Sequence, residues 1–474
     1  MTAGSGSGVA DVTAEVREGS YGTKVGAIEP GGAEFVPLSD RHGKPIALFA
    51  TWMSPNLEFA TVFLGVIAVW YFGLTVWQAV AACVLGTGLG ALSHAVLSAR
   101  GPSAGVPQMI ISRIPFGFRG NILPAGLNAV VAGVGWFAIN SVSGAFALAT
   151  LTGWDSKLTL VIVVVVQILV AFFGHNLLQR WERLAFPVLA VIFVLAFATS
   201  IGHADPSAAT GGGGIGGFLI VVGATFGYAA GWNPFAADYT RYLPPTVSKA
   251  ATGLWAALGV FVACSVLELL GAFAATYMSI DGGSPTDEFT KVMPTGIADL
   301  VLIGIVVGSI SANAINLYSG AMSFLALGIK INLGMRRAIA AVVFGVLGTV
   351  MAFYGLDHFS DFENFLLVVA YWVGPWLGVF LMDQVLRRGH DVDGMMFDER
   401  HNPWAGVVAM AVGIVVSVWL FSNQVFYVGV VPSANPSFGD IAFEVGFVIS
   451  AVLYWVFYRL SRPQADEHLV VPVS

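Results

Sequence analysis

The sequence predicts an all-α polytopic membrane protein with about twelve transmembrane helices. Of its 474 residues, 57% are hydrophobic and only 10% are charged, whereas soluble domains carry about 25% charged residues. The mean hydropathy is +0.80, and long apolar segments recur along the whole chain. Each segment can cross a hydrocarbon core of roughly 30 Å, which requires about 20 helical residues. Polar motifs inside these segments are repeated between the two halves of the chain, which indicates an internal duplication.

We number the apolar segments span one to span twelve in chain order. Their predicted bounds are near residues 46–70, 74–99, 121–150, 158–176, 183–202, 214–240, 250–279, 295–328, 336–354, 361–386, 403–422 and 440–459. The sequence predicts a disordered cytoplasmic tail over 1–45, because the first 40 residues are rich in Gly, Ser and Glu and lack the apolar core of a signal peptide. The remaining predicted divisions are a first five-helix repeat over 46–202, a second over 213–388, two peripheral helices over 403–460 and a second tail over 461–474.

The basic residues predict the orientation. With both termini in the cytoplasm, all of the 21 Lys and Arg except Lys157 and Lys291 fall on the cytoplasmic side, as the positive-inside rule requires. The protein is therefore predicted to be an integral membrane protein, with the plasma membrane as the expected location. No basic patch interleaved with aromatic residues indicates nucleic-acid binding. The oligomeric state is left open.

The repeat has two parts in nearly the same register. Ala138–Gly144 matches Ala314–Gly320 at five of seven positions, and Trp52-Met-Ser-Pro-Asn56 is echoed by Trp232-Asn-Pro234. Span one then corresponds to span six, and span three to span eight. An odd number of spans in each half inverts the second half relative to the first, and a solute site is expected where the halves meet.

Spans one and six are predicted to be broken helices. Pro55 and Pro234 lie in mid-span, and a proline inside a helix removes one N–H and frees the carbonyl four residues earlier. Such carbonyls can coordinate a cation or a polar solute. The alternative is an ordinary kink, which membrane helices tolerate.

Amide and aromatic side chains occupy the middle of spans three and eight. Trp136 and Asn140 are four residues apart, and Asn313 and Asn316 are three apart, so each pair shares a helix face. An amide can donate and accept hydrogen bonds at once, which suits the edge of a nucleobase or a related heterocycle, while Trp136 could stack on its face. The alternative is that these amides only join helices to one another.

Charged and hydroxyl side chains supply the candidates for ion coupling and gating. Glu58 lies about twelve residues, or roughly 18 Å, into span one, and an acid near the midplane is a functional candidate by default. The alternative is a structural hydrogen bond from Glu58 to a neighbouring helix. Ser309 and Ser311 are weaker candidates for cation ligands. Asp238 and Arg241, near the cytoplasmic end of span six, indicate an inner gate or a structural ion pair. No metal-ligand cluster, no P-loop and no Gly-x-Ser-x-Gly motif is present, so neither a cofactor nor an enzymatic activity is expected.

The chain resembles the nucleobase–cation symporter-1 family, in particular its purine–cytosine permease branch. The resemblance covers most of residues 40–390 and is carried by WMSPNLEFATVFLG, PQMIISRIPFGFRGN, GVGWFAIN, GYAAGWNPFAADYTRYLP and SANAINLYSGAMSF. It implies a leucine-transporter-like fold of five-plus-five inverted repeats with two extra spans. It also implies import of a nucleobase, cytosine or a purine, driven by a proton or a sodium ion.

The resemblance also implies site residues. The stacking Trp of span three falls on Trp136 and the amide one turn later on Asn140, while the span-eight amide falls on Asn316, with Asn313 nearby. The polar site of span one falls on Ser54 and Asn56. For the span-six aromatic, Trp232 fits the branch motif, whereas Tyr228 or Phe226 fits better when counted back from Asp238.

The chain departs from the family pattern in span eight. Ile315 stands where fungal members have a Pro, and the alternating Ser309 and Ser311 stand where sodium-dependent members have adjacent hydroxyls. Proton and sodium coupling therefore both stay open. Two alternatives for the function are a symporter of another planar heterocycle, such as a hydantoin, allantoin or a vitamin ring, and a channel or transceptor.

Overall fold

The chain folds into a bundle of helices, as the computed structural model shows. It describes residues 22–25, 32–171, 175–208, 211–279, 284–329, 333–358 and 361–461, with only the backbone described at 171 and over 333–341. The rest of the two predicted tails, over 1–21, 26–31 and 462–474, lies outside the described residues.

Every predicted span coincides with a helical segment. Among the described residues, eight helices are long and apolar enough to cross a membrane, a ninth span is a bent helix pair, and three further apolar helices are shorter. In chain order the spans are Ala47–Met53 with Phe59–Trp70, Val76–Ser98, Ile122–Val130 continuing through Val131–Trp136 into Phe137–Thr152, Ser156–Ala171, His175–Ser200, Gly214–Ala230 with Ala236–Thr240, Lys249–Ala274, Thr295–Leu325, Leu333–Gly355, Phe362–Leu386, Ala405–Phe421 and Ala442–Leu460.

Short elements join the spans. Four-residue to six-residue helices lie at Gly101–Ala104, Gln108–Ile111, Arg113–Phe116, Pro285–Thr290 and Val430–Ala434. Single 3-10 turns lie at Leu38–Asp40, Ser54–Asn56, Ile201–His203, Asn233–Phe235, Asp393–Met396 and Pro436–Phe438. The strands Asn423–Gln424 and Tyr427–Val428 pair as an antiparallel hairpin between spans eleven and twelve.

Span five begins at His175 and not near residue 183, so the polar stretch before residue 183 is helical. Its buried residues recur every three or four positions along one helix face. The residues on this face are His175, Leu178, Glu182, Ala185, Leu189, Ile192, Ala196 and Ser200, and Asn176 and Phe193 beside it are buried as well. This amphipathic periodicity places Glu182 inside the bundle, whereas the sequence predicted a loop between spans four and five there.

Small residues allow the central helices to cross closely. A Cβ atom at Gly65 of span one would lie 1.8 Å from the carbonyl oxygen of Glu268 in span seven, and one at Gly271 would lie 1.8 Å from the carbonyl oxygen of Val62. Spans two and six meet in the same way at Gly86, whose Cβ would lie 2.3 Å from the Val222 carbonyl. Close backbone approach at small residues is typical of membrane helix packing.

Spans eleven and twelve pack on one side of span ten. A Cβ atom at Gly374 or Gly378 of span ten would meet the backbone of Phe443 or Phe447 of span twelve at 2.7 and 2.3 Å. Tyr454 of span twelve also donates a hydrogen bond to Asp383 of span ten. The last two helices therefore brace span ten, outside the part of the bundle that holds the candidate site.

Part of the predicted N-terminal tail packs against the helices. The Val36 amide donates to the Gly105 carbonyl, the His42 amide to the Tyr242 carbonyl, and the Arg41 side chain to the Pro102 carbonyl. Residues 32–45 therefore lie across the ends of spans two and six, on the side that the basic residues predict to be cytoplasmic.

Candidate functional site

Span one breaks at Pro55, as predicted, and its two halves are bent by 57°. A 3-10 turn over Ser54–Asn56 follows the first half, and the second half starts after Glu58. Asn56 Nδ2 donates to the Trp52 carbonyl at 2.7 Å, so the side chain satisfies a carbonyl next to the break. Thr61 donates to the Asn56 carbonyl at 2.7 Å. The break is therefore stabilised by its own polar residues.

The breaks of spans one and six are hydrogen-bonded to each other. In span six the α-helix stops at Ala230 and resumes at Ala236. Trp232 Nε1, at this interruption, donates to Asn56 Oδ1 at 2.9 Å, and Cys264 of span seven also donates to that oxygen. Both Trp232 and Asn56 were predicted to bind substrate. Here their polar atoms are used to join the two broken spans.

Trp136 ends a stretch of π-helix over Val131–Trp136 in span three. Such stretches interrupt α-helices mostly at functional sites, and the sequence predicted a regular helix here. The indole is buried and packs edge to face against Tyr228, at 5.3 Å between ring centroids, and against Phe365, at 5.1 Å. A Cβ atom at Gly231 would lie 3.2 Å from the Trp136 ring. Trp136 therefore lies directly beside the break of span six.

Of the three aromatic candidates in span six, Tyr228 is the one whose ring contacts Trp136. Phe226 stacks instead on Phe443 of span twelve, with ring centroids 4.0 Å apart and an interplanar angle of 12°. Trp232 packs against Trp52 at 5.8 Å. This geometry favours Tyr228 as the second aromatic of the site.

Glu58 joins this aromatic pair to span one. The Tyr228 hydroxyl donates to Glu58 Oε1 at 2.9 Å, and Glu58 Oε2 accepts from the Ala60 amide at 3.0 Å, which caps the second half of span one. Span eight comes close at this point, because a Cβ atom at Gly308 would lie 2.9 Å from the Glu58 Cβ. The buried carboxyl is thus held by a helix start and by a tyrosine of the candidate site.

The predicted amides meet in one cluster between spans three, four and eight. Asn140 Nδ2 and Asn316 Nδ2 both point to Asn313 Oδ1, at 3.1 and 3.4 Å. Asn313 Nδ2 in turn contacts the Phe137 carbonyl at 3.0 Å and Gln167 Oε1 at 2.9 Å. Asn313 therefore uses both ends of its amide inside the protein, as helix-joining amides do. The oxygens of Asn140 and Asn316 have no hydrogen-bond partner among the described residues.

A second polar cluster lies between spans one, five and eight. Ser311 Oγ donates to Glu182 Oε2 at 2.5 Å, and Ser54 Oγ lies 3.2 Å from Ser311 Oγ. All three side chains are buried. Ser54 and Ser311 were predicted to lie in the site, but the carboxyl that faces them was not. A buried carboxyl beside two hydroxyl oxygens is a group that could hold a proton or a monovalent cation.

Ser309 lies apart from this cluster. Its hydroxyl donates to the Val306 carbonyl within span eight at 2.9 Å, and it faces Gly144 of span three, whose Cβ would lie 2.3 Å from Ser309 Oγ. Residues two positions apart in an α-helix point in directions about 200° apart around the helix axis, so Ser309 and Ser311 cannot face the same cluster. Ser309 acts here as a packing residue of the contact between spans three and eight.

Asp238 and Arg241 each hold a different segment of the chain. Asp238 Oδ1 accepts from the Gln108 amide at 2.9 Å, at the start of the helix Gln108–Ile111. Arg241 donates to the Gly32 carbonyl at 2.6 Å and to the Tyr318 hydroxyl of span eight at 3.0 Å. Asp238 therefore ties the end of span six to the helix Gln108–Ile111, and Arg241 ties it to the N-terminal segment and to span eight. A gating role for them stays a prediction.

Two residues of these clusters, Gln167 and Glu182, were not predicted as site residues, for different reasons. Gln167 is the one polar residue in an apolar run of span four, and that isolation is a signal that could have identified it. Glu182 stands between Arg180 and Arg183, so local composition favoured a solvated loop. Only the buried periodicity of span five distinguishes it.

The chain matches a known family over most of its length. The sequence profile of a family described as permeases for cytosine/purines, uracil, thiamine and allantoin matches residues 35–446. YxlA of Bacillus subtilis is 29% identical over 446 residues, which cover 90% of this chain and 95% of YxlA. The purine-cytosine permease fcyB of Emericella nidulans is 27% identical over 454 residues, which cover 90% of this chain and 87% of fcyB.

The fold is also that of a solved transporter. The structure of Mhp1, a nucleobase-cation-symport-1 family transporter in a closed conformation with bromovinylhydantoin bound, superposes with a TM-score of 0.73 at 19% identity. The superposition covers 93% of this chain and 98% of Mhp1. The chain is a membrane transporter and belongs to the nucleobase–cation symporter-1 family of permeases for cytosine/purines, uracil, thiamine and allantoin.

Proposed function

We propose that the protein imports a nucleobase, cytosine or a purine, across the plasma membrane by cation symport and alternating access. The observation that carries the proposal is the buried Trp136 beside Tyr228, with the amide cluster of Asn140, Asn313 and Asn316 one helical turn away. A flat ring can stack on the indole, while its edge pairs with amides that both donate and accept. The orientation that we propose keeps both termini in the cytoplasm.

Uptake of labelled bases tests this proposal. Cells or proteoliposomes that contain the protein are supplied with cytosine, adenine, hypoxanthine or uracil, at two pH values and with sodium present or replaced by choline. We expect saturable uptake of cytosine or a purine that depends on one of the two cations. Uptake that is absent for all four bases, or that needs neither gradient, would contradict the proposal.

The second candidate is symport of another planar heterocycle. The family description includes allantoin and thiamine, and Mhp1, whose fold this chain shares, was solved with bromovinylhydantoin bound. A hydantoin or allantoin ring also offers a flat face and amide-like edges to Trp136 and the asparagines. Competition between cytosine and the other heterocycles separates the two candidates. If a nucleobase is the transported class, unlabelled cytosine should displace a bound labelled ligand at a lower concentration than hydantoin or allantoin does. If another heterocycle is transported, hydantoin or allantoin should act at the lower concentration.

For the coupling cation we propose the cluster of Ser54, Ser311 and Glu182. Its carboxyl can either take up a proton or neutralise a sodium ion, and it contacts spans one, five and eight at once. Movement of any of these spans would change its surroundings, which is what coupling requires. Glu58, the acid that the sequence predicted for coupling, is the competing group, but its oxygens already cap span one and accept from Tyr228.

Two matched variants distinguish these carboxyls. Glu182→Gln should abolish uphill accumulation and spare exchange of internal for external base, because the neutral amide can neither bind a proton nor neutralise a cation. Glu58→Gln should retain accumulation, because an amide oxygen can still accept from the Ala60 amide. Both accumulation and exchange are measured in proteoliposomes. The opposite assignment, with accumulation lost only in Glu58→Gln, would move the coupling role to Glu58.

A further inference from the structure

The orientation of the buried amide cluster is determined by one backbone carbonyl. Asn313 contacts the Phe137 carbonyl at 3.0 Å, and a carbonyl oxygen can only accept a hydrogen bond. The NH2 group of Asn313 must therefore face Phe137, and Asn313 Oδ1 must face the other way. Phe137 lies in span three, so this orientation follows from the contact between spans three and eight.

A second set of contacts requires the same orientation. Ser141 donates its hydroxyl proton to the Phe137 carbonyl at 2.6 Å, so its oxygen can only accept from other groups. Gln167 Nε2 donates to that oxygen at 2.6 Å, which leaves Gln167 Oε1 to accept from Asn313 Nδ2 at 2.9 Å. Both routes end on the Phe137 carbonyl, and both direct the NH2 group of Asn313 toward spans three and four.

The two neighbouring amides must then donate to Asn313. Asn313 Oδ1 can only accept, so the groups of Asn140 and Asn316 that face it are their NH2 groups, at 3.1 and 3.4 Å. Within one amide the oxygen lies about 2.2 Å from the nitrogen, from the C=O and C–N bond lengths. The two acceptor oxygens, Asn140 Oδ1 and Asn316 Oδ1, are therefore not the atoms that face Asn313 Oδ1, and each stays available as an acceptor. Both are buried and have no hydrogen-bond partner among the described residues.

We infer that Asn313 is a positioning residue that makes Asn140 and Asn316 present two acceptors, so that the site selects bases by their N–H donors. This inference rests on the proposed function and narrows its substrate class. The preferred base carries an exocyclic amino group as well as a ring N–H, as cytosine and adenine do. A base with a carbonyl in place of the amino group directs lone pairs at an amide oxygen that is unable to rotate.

A planar base fits these oxygens better than a bound cation does. Asn140 lies one turn from Trp136 on the same helix face, and the indole contacts Tyr228 on span six. A stacked ring would therefore bring its edge to the amides. The cation alternative predicts a different result, because a cation held by the two oxygens gives a sodium dependence and no preference among bases.

The test compares bases that differ at the amino position; the oxo bases also carry a proton on the neighbouring ring nitrogen, N3 of uracil and N1 of hypoxanthine. Dissociation constants of cytosine, 2-pyrimidinone and uracil, and of adenine, purine and hypoxanthine, are measured by competition against labelled base on the purified full-length protein. Each series replaces the amino group first by hydrogen and then by oxygen. A donor facing a buried unpaired acceptor is worth on the order of tenfold to a hundredfold in affinity. We expect the wild type to bind the amino base most tightly and the oxo base most weakly.

The variant Asn313→Ala removes the group that orients the two amides. Asn140 and Asn316 can then rotate and turn their NH2 groups toward the base. We therefore expect the ratio of amino-base to oxo-base affinity to fall toward one. A merely structural role for Asn313 would weaken both bases alike and leave that ratio unchanged. The matched control is Asn128→Ala. It removes another side-chain hydrogen bond between spans three and eight, from the Asn128 amide to the Ser323 hydroxyl at 2.7 Å. That control should keep the wild-type ratio.

Several outcomes would overturn the inference. The first is wild-type protein that binds uracil as tightly as cytosine and hypoxanthine as tightly as adenine. The second is an Asn313→Ala protein that keeps the wild-type ratio of amino-base to oxo-base affinity. The third is an Asn313→Ala protein in which only the sodium dependence of binding changes. The wild-type series decides the acceptor polarity even if Asn313→Ala does not fold. If no base binds to wild type, the proposed function fails as well, whereas binding without preference overturns only this inference.

Discussion

The Trp136 indole is enclosed by three aromatic rings, those of Tyr228, Phe365 and Phe362, and by the break of span six. Base–aromatic stacking is worth about 1–3 kcal/mol per base, so Trp136→Ala should weaken base binding by roughly tenfold or more. The control is Phe226→Ala, which removes an aromatic of span six that stacks on Phe443. Binding is measured by competition and folding by thermal unfolding in detergent. Unchanged base affinity in a folded Trp136→Ala protein would remove Trp136 from the site.

Asn316 and Ser309 lie on the same helix but contact different neighbours. The Asn316 amide belongs to the cluster with Asn313, whereas Ser309 bonds to its own helix and packs on Gly144. We therefore expect Asn316→Ala to lower the affinity for the base about tenfold or more, and Ser309→Ala to change it less than threefold, since a lost polar contact to a ligand costs on the order of 1–3 kcal/mol. Uptake kinetics over a range of base concentrations measure both. A larger loss in Ser309→Ala would contradict the amide cluster as the binding site.

At the residue scale the sequence predicts which side chains meet better than it predicts what each one does. Spacing alone places Trp136 with Asn140, and Asn313 with Asn316, on shared helix faces. It cannot distinguish Asn313, whose amide is used within the protein, from Asn316, whose oxygen has no hydrogen-bond partner in the part of the chain that the structure describes. That difference depends on Phe137 and Gln167, which approach from two other helices.

The crossing of spans one and seven depends on glycines, and this dependence can be tested. A Cβ atom at Gly65 would lie 1.8 Å from the Glu268 carbonyl oxygen and 2.6 Å from the Ala272 amide, both backbone atoms that cannot move away cheaply. Gly65→Ala should therefore destabilise the protein by about 1–3 kcal/mol, as overpacking does. Thermal unfolding in detergent measures this loss.

Gly88 of span two is the matched control for that substitution. The nearest atom to a Cβ at Gly88 is in the Phe261 ring at 3.6 Å, which is ordinary van der Waals contact. Gly88→Ala should be neutral or slightly stabilising, because alanine has the higher helix propensity. Equal unfolding temperatures for the two variants would contradict the prediction, because they would mean that spans one and seven can move apart enough to accommodate a Cβ atom at Gly65.

At the element scale the sequence predicts the apolar spans well and their local irregularities partly. Hydropathy places all twelve segments, and Pro55 and Pro234 place both interruptions. The start of span five is missed, because its first turns carry the charges of a loop and only one buried face reveals the helix. The stretch of π-helix before Trp136 is missed because no single residue type determines it.

At the scale of the whole molecule the two broken spans lie in corresponding positions of the halves that we propose, over 46–202 and 213–388. Their breaks contact each other through Trp232 and Asn56, and Gly308 of span eight packs against the break of span one. The aromatic pair and the Glu182 cluster border these breaks, and Asn140 of the amide cluster lies one helical turn from Trp136. Rearrangement of either break would therefore alter the proposed base site and the proposed cation site together.

This arrangement predicts electrogenic accumulation of the base. If one cation moves with each neutral base, a membrane potential of 100 mV contributes about 2.3 kcal/mol. At about 1.36 kcal/mol per factor of ten, this corresponds to roughly fifty-fold accumulation inside, in addition to any effect of the cation concentration gradient. Proteoliposomes that contain the protein, with a potassium diffusion potential set by valinomycin, provide the measurement. The ratio of internal to external base should rise with the imposed potential, about fifty-fold for each 100 mV.

The same preparation distinguishes a symporter from a channel and tests the coupling cluster. A channel for a neutral base would bring the internal and external concentrations to equality at every potential. The Glu182→Gln protein should also reach only equality, because it lacks the carboxyl that Ser311 contacts at 2.5 Å in wild type, while the Glu58→Gln protein should respond to the potential. A wild-type protein that never exceeds equality, with either a sodium or a proton gradient imposed, would rule out cation symport of the base.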